Sequence, residues 1–391
     1  MRKPKPGTTG VIVLGCAALA AWLGALLTTS AAPINAAPAP VAAVATAAPA
    51  APPPPSFMAS GVQARQAQLA LWQQRLSRAQ DTLSNYKTST RYPHEARPLS
   101  EHPDQLRPFD PVAEEMPLRT PGGQPAKGVH VRTTQDRVFA SGSESVRFSV
   151  RAVDDNDQPL PLLVTRALAF DLPDPRQVAG RPQVPLAFSD SGAGDGSLVA
   201  VLQPSAQGFG DFAGTIRTQV YLNQGGQLGN VYFDVVYNPL VPAEWAGVRE
   251  ALQNGSLDFF LKVKVAQPGR YVASARVDDA NGKPFALLSF NDEVAVGEQE
   301  FRLTLFGKLV RDGTPTFPLT LRDVQGFLLV PDKFPDRAMM PRVIGTAHTS
   351  QVYAAGSFSD AEWRSEERDR YLTELGRDVD EAQRQVQSLA K

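Results

Sequence analysis

The chain has 391 residues, with 39 lysines and arginines against 40 aspartates and glutamates, so it is close to neutral. That balance provides no long-range field to draw in nucleic acid or an acidic substrate, and no nucleic-acid partner is expected. The 34 prolines and 30 glycines, with only 8% aromatics, favour short strands and many turns over a helical enzyme core.

The first element is the stretch "MRKPKPGTTGVIVLGCAALAAWLGALL". Arg2, Lys3 and Lys5 precede an apolar run from Val11 to Leu27, so residues 1–32 read as a signal anchor or a signal peptide. Spanning a bilayer takes about 20 apolar residues, which the run reaches if it extends to Ala32. On that reading Val11 to Leu27 hold the chain in a membrane. "TTSAAP" supplies small residues for cleavage, with Thr29 and Ala31 at the required spacing, which is the alternative. Either way the remainder is exported. The single cysteine, Cys16, lies inside the apolar run, so the exported part forms no disulfide and no thiolate metal cluster. The run continues well past Cys16, which argues against lipidation there.

Residues 33–59 are mostly alanine, proline and valine and read as an extended spacer. Over residues 60–88 the spacing predicts an amphipathic helix that opens on a capping box of Ser60 and Gln63. Its apolar seam runs through Val62, Leu69, Trp72, Leu76, Ala79, Leu83 and Tyr86. Residues 359–391 repeat the design, with Ser359 and Glu362 as the box and Leu372, Leu375, Val379, Ala382, Val386 and Leu389 as the seam. Each seam needs a partner, which is the neighbouring β-domain, the other helix or a second copy of the chain. Between the first helix and the strands, residues 89–128 are rich in proline and charge, and read as an irregular arm.

From Val129 the period changes to two. "SVRFSVRAVD" sends Val146, Phe148, Val150 and Ala152 to one face, and "TIRTQVYL" and "GNVYFDVVY" repeat the pattern. These strands predict a first β-sandwich over residues 129–240. A short amphipathic stretch, "PAEWAGVREALQNG", then bridges to a second sandwich over residues 241–358. There "LDFFLKVKV" alternates, and "DDANGK" carries the Asn281 and Gly282 that tight reversals favour.

The segment from "LDFFLKVKV" through "PGRY", "DDANGKP", "GEQEFRLTLFGKLVRD" and "PLTLRDV", with the later "AHTSQVYAAGSF", resembles the β-sandwich modules of secreted bacterial proteins of the choice-of-anchor X type. Those modules usually read "GPY" where this chain has "TFP". The earlier "SDSGAGDG" and "FAGTIRTQVYL" are similar to the bacterial immunoglobulin-like repeat that often precedes such a module. The resemblance implies a mainly β fold: two tandem immunoglobulin-like β-sandwich domains, flanked by N- and C-terminal helices. It also implies a bacterial envelope protein with its bulk in the periplasm, anchored in the inner membrane or released if the signal is cleaved. Such modules are accessory or binding units and carry no catalytic residues.

Chemistry is sparse. His94-Glu95 and Glu101-His102 lack the spacing of a helical zinc pair, and the prolines around them prevent a shared helix face. No nucleophile elbow stands at a strand-to-helix turn. Neither catalytic residues nor a cofactor are expected. The loop "FSDSGAGDGSLVAVL" offers Asp190 and Asp195 as weak calcium candidates. Counted from Asp190, however, an EF-type loop would place Gly192, Gly194 and Val201 where oxygen ligands belong, so the loop also reads as a hairpin turn. The function expected is that of a non-enzymatic interaction or scaffolding unit with an envelope protein or glycan as partner, and with self-association through the helices. The alternative is a carbohydrate- or peptide-binding module with Phe209, Phe212, Tyr232 and Phe260 as its aromatic platform.

Overall fold

The computed structural model describes residues 57–119, 124–172, 181 and 183–391, with side chains from residue 61 onward. The expected membrane segment and nearly all of the spacer lie outside the described residues. Among those that are described, no helix is long and apolar enough to cross a membrane.

The fold is mainly β, with several sheets and few helices. One hydrophobic core lies between two sheets. The first sheet runs Val112–Arg119, Pro125–Gln135, Val146–Val153, Leu198–Leu202 and Ser189–Asp190, with Pro159–Leu160 beside Val146–Val153. The second runs Phe139–Ser141, Gln227–Asn238, Gly214–Gln224, Leu163–Asp171 and Val184–Pro185. Pairing is antiparallel except where Phe139–Ser141 lies parallel to Gln227–Asn238. The period-two reading holds in detail. Val146, Phe148, Val150, Ile216, Val220, Leu222, Val231, Phe233, Val235 and Tyr237 are all buried, and Phe148 stacks on Phe233 across the sandwich.

A second core lies between two further sheets. One runs Ala96–Pro98, Pro284–Val294, Gly269–Asp278, Thr320–Leu329 and Arg337–Met339, with Val343–Thr349 also paired to Thr320–Leu329. The other has three strands, Ala243–Gln253, Ser256–Val265 and Gly297–Leu305. A short helix, Gly307–Gly313, packs against this core through Leu309 and Val310. The sequence reading missed it.

Several expectations are corrected here. "PAEWAGVREALQNG" is not an amphipathic bridge but the strand Ala243–Gln253, joined to Ser256–Val265 by a two-residue turn. Asn254 and Gly255 both take positive φ in that turn, so the Asn-Gly pair was the hairpin signal that the stretch contained. The arm over 89–128 is not irregular. Ala96–Pro98 pairs with the second sandwich and Val112–Arg119 with the first, so this segment is shared between them.

Both capping boxes are also corrected. The N-terminal helix already includes Phe57, so Ser60 lies within the helix and not at its cap. The C-terminal helix is Glu366–Ala390, and its cap is Ser365, whose side chain accepts from the Arg368 N–H at 3.1 Å. Arg368, which is buried, pairs with Glu362 at 2.6 Å.

The two sandwiches meet along Phe139–Ser141 and Arg337–Met339. Met339 N donates to Ser141 Oγ at 3.1 Å, and the Arg337 guanidinium lies over Phe139 and Phe327, about 5 Å from each ring centroid. Between the strands contributed by the shared segment, Leu99–Glu101 and Pro103–Gln105 form single 3₁₀ turns. Arg276, fully buried, fixes them. Its Nε donates to the Gln105 carbonyl at 3.1 Å, its Nη2 to the Gln105 side-chain oxygen, and its Nη1 to the Asp323 carbonyl at 3.0 Å. Burial draws its pKa down to about 10, opposed by the charges of Asp323 and Asp104.

Replacing Arg276 by methionine removes these donors and leaves the half-buried acceptors on Gln105 and Asp323 without them. The expected loss is about 3 kcal/mol of stability in chemical denaturation, with new protease cleavage between residues 99 and 110.

Candidate functional site

The Asp190 to Asp195 loop is a turn. Ser189–Asp190 pairs with Leu198–Leu202, and Gly192, Gly194 and Gly196 between them all have positive φ. Each carboxylate serves the turn itself. Asp190 accepts from the Gly192 N–H at 2.6 Å, and Asp195 accepts from the Ser197 N–H at 3.0 Å and hydroxyl at 2.8 Å. These bonds, with the Arg151 guanidinium 3.5 Å away, hold the Asp195 carboxyl below the ordinary carboxylate range. Arg151 also opposes any cation at this spot. Ala200 and Leu202 enter the buried face, as the turn reading requires.

Asp195 borders a groove of about 450 Å³ on the outer face of the first sheet. Arg132 and Arg151 lie directly opposite each other there, and like charges in that position repel. Glu115, 2.6 Å from Arg132, and Asp157 offset one of them, and Asp195 the other. The groove is therefore an ion network across three strands, with two guanidiniums met by three carboxylates.

The histidines are scattered. His94 pairs with Glu95 at 3.1 Å on the surface, and His130 lies 2.9 Å from Asp155 and 3.5 Å from Glu115. Among the described residues no three histidine, cysteine, aspartate or glutamate side chains are grouped so as to hold a metal ion. His348 belongs to a network that sequence reasoning missed. The Glu250 carboxylate lies 3.1 Å from His348 Nε2, and accepts from the Gln351 N–H at 2.8 Å and the Tyr353 hydroxyl at 3.0 Å. Burial, then the bond to Glu250, pushes the Tyr353 phenol up to about 12. Nothing in the local sequence shows that Glu250 is shielded from water, because its partners lie about one hundred residues downstream. These contacts fasten the segment after Val343–Thr349 onto Ala243–Gln253.

The aromatic platform is also corrected. Phe209 and Phe212 are buried in the first core. Tyr232 is exposed, but Arg217 covers its ring at 4.2 Å, and Arg249 covers Phe260 at 3.7 Å. The two rings that reach the surface belong to different sandwiches and are each capped by a guanidinium.

The terminal helices come together as an antiparallel arm. Arg65 Nε donates to the Leu389 carbonyl at 3.1 Å near one end, and Tyr86 and Tyr371 lie 5.6 Å apart near the other. Arg368 donates to Thr90 Oγ1 at 3.2 Å at the root. Leu69, Trp72, Leu76, Ala79, Leu83 and Tyr86 are half-buried, and so are Leu372, Leu375, Val379, Val386 and Leu389; Ala382 is fully buried. Of the three partners open to the seams, each helix thus takes the other. Charge supports the pairing. From Gly61 on, the first helix carries four basic side chains to one acidic, whereas Glu366–Ala390 carries seven acidic to four basic.

The root of the arm is pinned to the second sandwich. Arg91 pairs with Asp312 at 2.9 Å, the Tyr92 hydroxyl donates to Asp312 at 2.8 Å, and Lys308 bridges Asp312 at 3.0 Å and Asp360 at 2.9 Å.

No family model and no curated protein matches the chain. Among solved structures it is similar to a DUF4785 family protein from Legionella pneumophila, with 12% identity over 56% of each chain and a TM-score of 0.38. The matched part is therefore little more than half the length of that protein. It is also similar to dimeric latent PorU from Porphyromonas gingivalis, with 12% identity over 62% of this chain and 21% of that one, and a TM-score of 0.18. A third is trypsin-activated alpha-2-macroglobulin from Escherichia coli, with 12% identity over 58% and 16% of the two chains and a TM-score of 0.21.

Because the turn's own donors engage Asp190 and Asp195, calorimetric titration with calcium should give no binding heat. A second expectation concerns alkali. Burial also raises the phenol of Tyr271 to about 12, so the native state keeps both it and Tyr353 protonated where the unfolded chain ionises. Their contribution to stability is complete below pH about 10 and is lost as pH rises through about 12. Ultraviolet titration should show two of the eight tyrosines ionising last, together with alkaline unfolding.

Proposed function

We propose that this chain is a non-enzymatic bacterial envelope protein that acts as an interaction or scaffolding unit. It is exported behind the Val11 to Leu27 segment and belongs with the choice-of-anchor X type, its sandwiches being immunoglobulin-like. Its bulk lies in the periplasm, tethered to the inner membrane if the segment is retained.

The observation that carries this reading is the arm. A helix of 33 residues extends roughly 50 Å. Paired with its C-terminal counterpart, it forms a lever rooted on a double sandwich whose two halves share one segment of chain. Such a lever presents a large surface for its molecular mass, which suits association more than turnover. The pairing leaves most seam residues only half-covered, and Val62, Leu71 and Tyr371 stay exposed. The open side of the arm is where an envelope partner or a second copy docks.

Photocrosslinkers placed at Leu71 and Tyr371 in intact cells should give the same discrete adducts, and one at Val201 on the first sandwich should not. Leu76→Asp, which puts a charge in the seam, should abolish the adducts. A strictly monomeric chain with no adduct from either arm position would overturn the proposal.

A further inference from the structure

On the flank of the second sandwich, where Pro284–Val294 and Gly297–Leu305 border one another, lies a groove of about 470 Å³. Its walls are held in place by backbone hydrogen bonds and ring stacking. Ser289 N donates to the Glu95 carbonyl at 2.9 Å, which fixes one rim. Trp363 N donates to the Arg91 carbonyl at 3.4 Å, which brings the indole to the other. Phe290, on the groove, stacks on the buried Phe301 with centroids 4.4 Å apart and planes 8° from parallel, so its ring cannot turn away.

The polar lining is under-used. Among the described residues the Trp363 indole N–H and the Arg302 guanidinium make no hydrogen bond or ion pair. Asn291 uses only its oxygen, which accepts from Arg270 at 2.7 Å, and leaves its amide hydrogens free. Asp292 accepts only from the N–H of the next residue, at 2.8 Å. One preformed groove thus holds two aromatic rings, three unspent donors and a carboxylate with spare acceptor capacity.

We propose that this groove binds a neutral oligosaccharide, whose C–H faces pack on Trp363 and Phe290 while its hydroxyls pair with Arg302, Asn291 and Asp292. A sugar hydroxyl both donates and accepts, which matches a mixed set of donors and acceptors, and the ring faces supply the apolar contact. The volume is in the range of small-molecule sites. Glu95, Asp292 and Glu300 outnumber the one free guanidinium, with Glu300 already paired to Arg249, so an acidic sugar or a phosphate is disfavoured. Tyr232 and Phe260 compete poorly as platforms because each is covered by its own arginine. No residue of either terminal helix lines the groove, so either proposal can fail alone.

Calorimetric titration of the full chain with the tetramers of N-acetylglucosamine, cellulose and maltose tests the proposal. At least one should bind, and Trp363→Ala should weaken it at least about tenfold, the equivalent of one good aromatic contact. Arg302→Ala and Asn291→Ala should weaken it less, and Tyr232→Ala not at all. Circular dichroism checks that each variant is folded. If Trp363→Ala does not fold, the Arg302 and Asn291 variants decide. Binding by none of the three, or affinity unchanged in the folded groove variants, would overturn the assignment. So would a basic peptide that binds in their place and depends on the same residues.

Discussion

Arg276 is a guanidinium buried without a carboxylate in hydrogen-bond contact, and the connection between the two sandwiches depends on what it holds. Its donors end on Gln105, in the segment that leaves the second sandwich for the first, and on the Asp323 carbonyl in Thr320–Leu329 beneath it. An arginine fully removed from water is costly unless its donors are met, so the segment and the sheet beneath it must form together. Around it, Arg322 reaches Asp278 and Asp323, and the Asp323 carboxylate accepts from Gly345 N at 2.8 Å. The network thereby spans three strands of one sheet and the entering chain.

The consequence is an interleaved fold. The chain first lays Ala96–Pro98 on the second sandwich, then builds the first, and returns at Ala243 to complete the second. The second core is therefore finished only when residues from both sides of the first have met. The same closure places Arg91 beside Asp312 and Trp363 beside Arg91, so the roots of both terminal helices lie at one point. An antiparallel arm follows from that placement and from the opposite charge of the two helices. The groove that carries Trp363 is a by-product of the same meeting, since its rims come from residues some 270 positions apart.

Much of the fold was legible where the period was strong. Val146, Phe148, Val150, Leu257, Phe259, Leu261, Val263 and Val265 all face a core, because alternation over a long strand leaves only one face to bury. The turn at Asp190 to Asp195 was legible too, through its glycines. Ala243–Gln253 was not: Trp245, Val248 and Leu252 have helical spacing, and the Asn-Gly turn that makes the strand a hairpin arm lies at its very end. Ala96–Pro98 is three residues long and has no period to read. The capping boxes misled because Ser-x-x-Glu and Ser-x-x-Gln also occur by chance, and whether a serine caps a helix depends on where the chain bends.

By itself the sequence determined the β class, the buried face of each long strand, the two helical seams and the glycine turns, since these follow from spacing along a few neighbouring residues. Only the tertiary structure decided that the seams meet each other, that residues 96–119 serve both sandwiches, and which aromatics remain open to a ligand. Those outcomes rest on contacts between residues far apart in the chain. Among them are Arg276 with Gln105, Arg65 with Leu389, and Arg249 over Phe260, none of which leaves a periodic trace.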